Sequence, residues 1–448
     1  MATVREEVKE ATTGGFLKDT IFEGFISVFR RQWPPWVGGL AMGFIVALMF
    51  AWGAPWGVTS GIIIWGDNLL KPILYPGADL QSPLWQYVAL INWAFLLGAL
   101  ISALIGGDFR LSIPGKDELL LGAVGGTLMG IGAFMAFGCT IGAFLVGFGA
   151  LSASALTMMV GLGIGAYIGL KIYMALMLRG WGSPGKIIHV PEKLQLSLGL
   201  VLLGVALLLI VFVDRKVSTF TPAIGIGSIE VAAGSLIFFG VVLGIINQRT
   251  RFCFVRAFRQ PFETGESDMT RAAALAIAVA AVAGAIVKFS PFAGILESQL
   301  VQETLSFEMT NPPTVKSMMI APSFPFGSLI GGIIFGIGMT LAGGCSVGSM
   351  WRAGEGSVKN MVAILFYAIG GSLFAFFFRK VDPVIMSALS PIYEKLGANT
   401  SLGAKVFLPE AVGGLGWALL ILLCFAGAWY LFSIWNEKTG RFVLKFDI

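Results

Sequence analysis

The chain has 448 residues, 56% of them hydrophobic and only 12% charged, with a mean hydropathy of +0.85. Soluble domains carry charge on about a quarter of their residues, so these figures exclude an ordinary soluble protein and predict an all-α polytopic membrane protein. Thirty Lys and Arg against 25 Asp and Glu leave a net charge of +5, an excess that in a membrane protein speaks to orientation rather than to nucleic-acid binding.

Residues 1–32 are polar and mixed in charge, carry no cleavable signal pattern, and are expected to form a cytoplasmic N-terminal segment. A helix needs about 20 apolar residues to cross the hydrocarbon core, and roughly nine to eleven stretches meet that criterion. A first repeat half, 33–190, is predicted to hold spans near 36–52, 88–106, 119–138 and 155–178, with shorter apolar pieces near Trp56 and after Cys139. A second half, 191–435, holds spans near 194–213, 232–247, 271–289, 326–344, 358–378 and 411–435, and a cytoplasmic tail follows at 436–448. Sixty glycines suit helices in close mutual contact. Basic residues gather at Arg30 and Arg31, from Arg249 to Arg259, and from Lys438 to Lys445, whereas 289–325 carries three glutamates and one lysine. The positive-inside rule therefore predicts cytoplasmic termini and an external loop at 289–325.

Shifting the chain against itself by 206 residues aligns GGTLMGIGAFMAFGCTIG (125–142) with GGIIFGIGMTLAGGCSVG (331–348), and nine of those 18 positions are identical. Each block is followed by another glycine-containing apolar span. This is the mark of an internal duplication, a plan in which discontinuous helices from two halves meet near the midplane and frame a permeation path. Both blocks are too rich in glycine for one regular helix, so a break at each Gly-Cys is predicted. Irregular backbone at that depth is tolerated only inside protein or beside a cavity. A fainter match sets 43–60 against 240–257 and puts Trp56 opposite Cys253.

Gly138-Cys139-Thr140 and Gly344-Cys345-Ser346 read as loops that feed helices. Glycine permits close approach of a ligand, Thr or Ser suits a helix cap, and the free amides of a helix start attract anions. The thiol adds a soft, polarizable group. A ligand both anionic and soft uses all of these, as a sulfur oxyanion with a terminal sulfane sulfur does. The plainer alternative, a small hydrophobe at a tight helix contact, is weakened by the duplication and is retained for Cys424. Around Cys253, NQRTRFCFVRAFR (247–259) carries Arg249, Arg251, Arg256 and Arg259. Arg251 and Arg256 are the candidates for an anion funnel, and Arg249 and Arg259 serve equally well as interfacial anchors. Arg352, Glu355 and Lys359 either border the path or form a plain loop. His189 is expected in a solvated loop. No CxxC pair and no phosphate-binding GxxxxGK[ST] occurs, so no metal, cofactor or catalytic residue is predicted.

The paired GCTIG and GCSVG blocks, their spacing and RFCFVRA resemble the YeeE/YedE family of bacterial inner-membrane proteins over about residues 36–435. The resemblance implies two inverted pseudo-symmetric halves, short helices dipping toward the centre, and uptake of thiosulfate or a related sulfur species along a narrow path lined by cysteines. Cys139 and Cys345 match the family's central pair. It also implies a cytoplasmic sulfur carrier of the TusA type as partner, with no such domain fused here. One departure stands out: the thiosulfate-transporting members have a further cysteine early in the first half, and residues 1–138 contain none. Thiosulfate is the leading substrate, with sulfite and selenium oxyanions as others. The rival functions are a membrane sulfurtransferase that forms a cysteine persulfide and a passive channel.

Overall fold

Four helices in this chain stop at a residue of positive φ and give way within a few residues to a shorter second helix, and that local fact organises the whole molecule. The computed structural model describes residues 23–24, 26–213, 215–218, 230–291, 319–388, 398 and 400–444. Most of the expected 289–325 loop, residues 1–22 of the N-terminal segment and the last four residues of the tail lie outside them. The helices are α1 (Pro35–Ala51), α2 (Val58–Leu69), α3 (Tyr87–Gly106), α4 (Lys116–Met135), a π-helical segment Thr140–Leu145 continued by α5 (Val146–Gly149), α6 (Ala153–Leu178) and α7 (Glu192–Phe212). After them come α8 (Ala233–Thr250), α9 (Phe254–Glu263), α10 (Asp268–Phe289), α11 (Phe326–Ala342), α12 (Ser346–Gly354), α13 (Val358–Ala388) and α14 (Leu415–Thr439).

Among the described residues nine stretches are long and apolar enough to cross a membrane, and α1 is a shorter apolar helix. Three of the nine, Lys116–Gly149, Ala233–Glu263 and Phe326–Gly354, contain a break. Two small antiparallel sheets were not foreseen: β1 (Arg110–Ile113) pairs with β2 (Lys186–His189), and β3 (Lys216–Ser218) with β4 (Glu230–Ala232). His189 thus ends an exposed strand opposite Arg110 rather than lying in a loop.

Glycines set the helix pairings, because without a hydrophobic force between helices only small residues let backbones close up. A Cβ on Gly126 of α4 would strike the Ala363 carbonyl of α13, and one on Gly130 would lie 2.5 Å from the Tyr367 carbonyl, so α4 and α13 run parallel. The duplicate pair behaves alike: Gly161 and Gly165 of α6 abut Leu329 and Ile333 of α11. Likewise Gly39 and Gly43 of α1 meet Ala272 and Ala276 of α10, while Gly240 and Gly244 of α8 meet Ile91 and Phe95 of α3. Helix α7 packs on α3 as α14 packs on α10. Exchanging the halves therefore maps each of these contacts onto another.

The direction of the central pair fixes the kind of symmetry. Gly125 of α4 faces Gly338 and Ala342 of α11, while Gly132 faces Gly331 and Phe335, so these duplicates are antiparallel. A dyad relating antiparallel helices crosses them instead of running along them, which is the relation of an inverted repeat. The pseudo-symmetric halves expected from the Gly-Cys blocks are inverted.

Candidate functional site

Each of the four broken elements is built the same way. Gly53 (φ 76°), Phe137 (58°), Arg251 (50°) and Gly343 (74°) adopt the left-handed conformation that terminates a helix. Two or three residues later come Trp56, Cys139, Cys253 and Cys345, and directly or almost directly after them a short helix begins. Trp56 thus holds the place in the first half that Cys253 holds in the second, in agreement with the fainter sequence match. Cys139 and Trp56 are 0% exposed, and Cys253 and Cys345 are 1% exposed.

The cap residue is the cysteine and not, as the sequence suggested, the hydroxyl that follows. Cys139 Sγ accepts from the Ile141 N–H and Cys345 Sγ from the Gly348 N–H, both at 3.4 Å. Extended backbone at Cys139 (ψ −167°) and Cys345 (ψ −177°) makes them the N-caps and moves Thr140 and Ser346 into the first helical position. Cys253 caps α9 in the same backbone region, without a side-chain bond to the helix start.

The starts of α2, the π-helical segment, α9 and α12 converge. Tyr367 of α13 reaches between the halves, its hydroxyl 2.8 Å from Thr59 Oγ1 and 3.2 Å from Ser346 Oγ, which donates to it. The Cys253 and Cys345 thiols are neighbours that act on each other, and Thr140 lies beside the Cys345 sulfur. Thr140 Oγ1 has no hydrogen-bond partner among the described residues. Gly348 packs against both sulfurs: a Cβ there would lie 2.6 Å from Cys253 Sγ and 3.4 Å from Cys345 Sγ. Gly344 abuts Ser349, and Gly138 abuts Ala143 at the opposite break. On the first-half side Trp56 Nε1 donates to Asn92 Oδ1 at 3.1 Å, and Asn92 Nδ2 donates to the Val58 carbonyl at 2.9 Å.

The four arginines around Cys253 part company. Arg256 stands in the first turn of α9, and the charge of Arg352 acts on the Cys253 thiol. Arg251 lies beside the side-chain amide of Gln32, and its charge acts on Glu355. Arg249 is no interfacial anchor: it is 1% exposed, pairs with Asp108 and donates to the Phe29 and Ser102 carbonyls. Gln248 joins this network by donating to Glu355 Oε1 at 2.8 Å. Arg259 pairs with Glu263 one turn away, and Lys359 with Glu118. Arg352 donates to the Gly343 carbonyl and so ties the end of α11 to α12. Cys424 is exposed on α14, away from the centre. Among the described residues no group of three or more His, Cys, Asp or Glu side chains is placed to hold a metal ion.

Sequence reasoning missed Tyr367, Thr59, Asn92 and Asp108. Tyr367 and Asn92 left a signal, a polar side chain inside an apolar span, which in a membrane helix marks either a helix contact or a pathway.

A buried centre of thiols, hydroxyls and helix starts narrows what such a molecule handles, and comparison with known proteins bears on it directly. A family model described as "Sulphur transport" matches residues 3–168 and 249–443. The chain belongs to that family. Over 440 residues it is 25% identical to the "Probable transporter YedE" of Escherichia coli (strain K12), covering 92% of this chain and 94% of that one. A segment of 131 residues is 34% identical to the "Thiosulfate transporter TsuA" of the same organism, covering 29% of this chain and 30% of the relative. The TsuA of Spirochaeta thermophila matches at 30% identity over 131 residues, 29% of this chain and 33% of the relative. The sulphur-transport family match falls on both halves and leaves out 169–248, which holds the end of α6, all of α7 and most of α8.

Proposed function

We propose that this member of the sulphur-transport family takes up a sulfur-containing anion, thiosulfate first among them, along a path through the convergence of its four broken elements. The observation that carries the reading is the repeated device of a buried cysteine capping a half-helix at three of four breaks. Helix starts offer partial positive charge and free amides to the oxyanion end, each equivalent to about half an elementary charge at most. Thiols offer weak, soft contacts to the sulfane end. No single station binds tightly, which conduction requires, since the anion has to leave each site it enters. Cys139, Cys253 and Cys345 contact the anion with Gly138, Thr140, Gly344 and Ser346. Arg251 and Arg256 bias the adjacent end toward anions. No covalent step is needed.

The start of α1 and the end of α14 lie on the same side as the Arg249 to Arg259 cluster, through the Trp33 N–H bond to the Arg249 carbonyl and the Arg271–Glu437 pair. That arrangement supports a cytoplasmic location for this side in a bacterial inner membrane, where a TusA-like carrier would receive the sulfur. The packing of α7 on α3 further supports dividing the halves within 213–230 rather than at residue 191.

Uptake of radiolabelled thiosulfate into proteoliposomes tests the reading. Cys139→Ala and Cys345→Ala each abolish uptake while the protein still elutes as a single folded species. Wild-type uptake in both variants overturns it.

A further inference from the structure

The Cys253–Cys345 pair has a property that transport does not use. The two thiols cap different half-helices, α9 and α12, and lie side by side against Gly348, where a Cβ would stand 2.6 Å from Cys253 Sγ and 3.4 Å from Cys345 Sγ. The Cys139 sulfur accepts from its own helix at Ile141 and is not among the atoms that lie against Gly348. Cys424 is exposed on the outer face of α14. Cys253 and Cys345 are thus the pair of thiols that meets at Gly348.

We propose that Cys253 and Cys345 form an oxidation site, at which a small two-electron oxidant such as hydrogen peroxide joins the sulfurs and shuts the path. The inference rests on the transport reading for its effect on flux, and for the oxidant's access to thiols that are 1% exposed. In the first step one sulfur, as thiolate, attacks peroxide. The O–O bond breaks, a sulfenic acid forms, and the departing hydroxide takes up the proton that the thiol released, giving water. In the second step the other sulfur attacks the sulfenic sulfur, an S–S bond forms, and the hydroxyl leaves with the second thiol's proton as another water. Two thiols and one peroxide become one disulfide and two waters, the two sulfurs supplying the two electrons.

The consequence for the path is mechanical and chemical together. The disulfide ties the starts of α9 and α12 across the centre, and neither sulfur retains an S–H to offer an anion. Reduction by a thiol restores both. The sequence separation hides this relation, since Cys253 and Cys345 share no motif and their blocks belong to different broken elements.

The test uses the full-length protein in detergent, treated with graded hydrogen peroxide, denatured, alkylated with N-ethylmaleimide, digested and mapped by mass spectrometry. The expected product is a peptide pair linked through Cys253 and Cys345, lighter by two hydrogens and cleaved by dithiothreitol, with Cys139 and Cys424 still alkylated. In proteoliposomes the uptake rate falls in proportion to the linked fraction and returns on reduction. Single alkylation or overoxidation of Cys253 and Cys345 without a link, or a link to Cys139, overturns the site. Undiminished uptake by fully linked protein overturns the closure. Mapping needs no transport, so a reduced protein that carries no thiosulfate refutes the transport reading while the disulfide is judged on its own.

Discussion

The space between the two thiols can be filled by one methyl group. In Gly348→Ala the new carbon would start 2.6 Å from Cys253 Sγ and 3.4 Å from Cys345 Sγ. Non-bonded heavy atoms settle at about 3.5–4.0 Å, so the Cys253 sulfur has to retreat by about 1 Å or α12 has to move. Retreat is resisted, because Phe252 and Phe254 flank Cys253 with ring centroids 5.1 Å apart, and Trp351 Nε1 donates to the Phe252 carbonyl at 3.3 Å. Overpacking of this kind costs about 1–3 kcal/mol. At 1.4 kcal/mol per tenfold that is about 5- to 150-fold if it falls on binding. The assay is thiosulfate affinity by calorimetry in detergent, on protein shown to be monodisperse. Gly163→Ala is the control: its Cβ meets nothing within 4 Å, and replacing a helical glycine there stabilises by up to about 1 kcal/mol. Gly348→Ala is expected to bind at least about fivefold more weakly, and Gly163→Ala as wild type. Unchanged affinity in Gly348→Ala would refute the placement of the anion at the thiol pair.

Three further outcomes follow from the same geometry. Arg249→Met strands Asp108 beside a buried network and costs about 3 kcal/mol in a denaturation curve, whereas Arg259→Met, which breaks a partly exposed pair with Glu263, costs less than about 1 kcal/mol; equal losses would contradict the division between them. Tyr367→Phe removes the hydroxyl that bridges Thr59 and Ser346, and is expected to lower stability by about 1–3 kcal/mol and to weaken thiosulfate binding, with unaltered melting and binding counting against a central role. Glu355, in the turn between α12 and α13, is held above the usual carboxylate range by burial, against the Gln248 hydrogen bond and the Arg251 charge that pull it down. A carboxyl raised in the folded state favours folding only while protonated, so stability is lost as pH climbs from the unfolded value through the folded one. Glu355→Gln keeps an acceptor for Gln248 and should melt higher than wild type at neutral pH, the curves converging below about pH 4.3; a variant that melts lower at neutral pH would show that charge pairing, not burial, governs the site.

The duplication was legible because its central blocks keep both their glycines and their cysteine, and glycine spacing is a direct imprint of helix contact. The break at each Gly-Cys was legible for the same reason. Inversion was implied by the family resemblance alone and not by the residues, since the relative direction of α4 and α11 appears only when Gly125 is seen against Gly338 and Gly132 against Gly331. The caps were misassigned because Thr and Ser are the usual N-cap residues, yet the left-handed turn at Phe137 and Gly343 leaves the cysteine at the position where the backbone is still extended. Arg249 misled for a similar reason: a cation at the end of an apolar span reads as an interfacial anchor, and Asp108, 141 residues away, gave no local sign of the pairing. The contact between Cys253 and Cys345 is tertiary in the same sense. Trp56 was half-visible, as the opposite number of Cys253, and the structure explains its size: with Asn92 it fills the fourth break by packing and one indole hydrogen bond where the others use a thiol.

The most direct test of the central claim is ligand-dependent thermal stability of the purified wild-type and Cys345→Ala proteins, with thiosulfate and sulfate compared at equal concentration. The account predicts that thiosulfate raises the melting temperature of the wild type and sulfate does so little, and that the thiosulfate effect is lost in Cys345→Ala. An equal response to both anions, or a thiosulfate shift that survives the substitution, would contradict a soft-anion path through these cysteines.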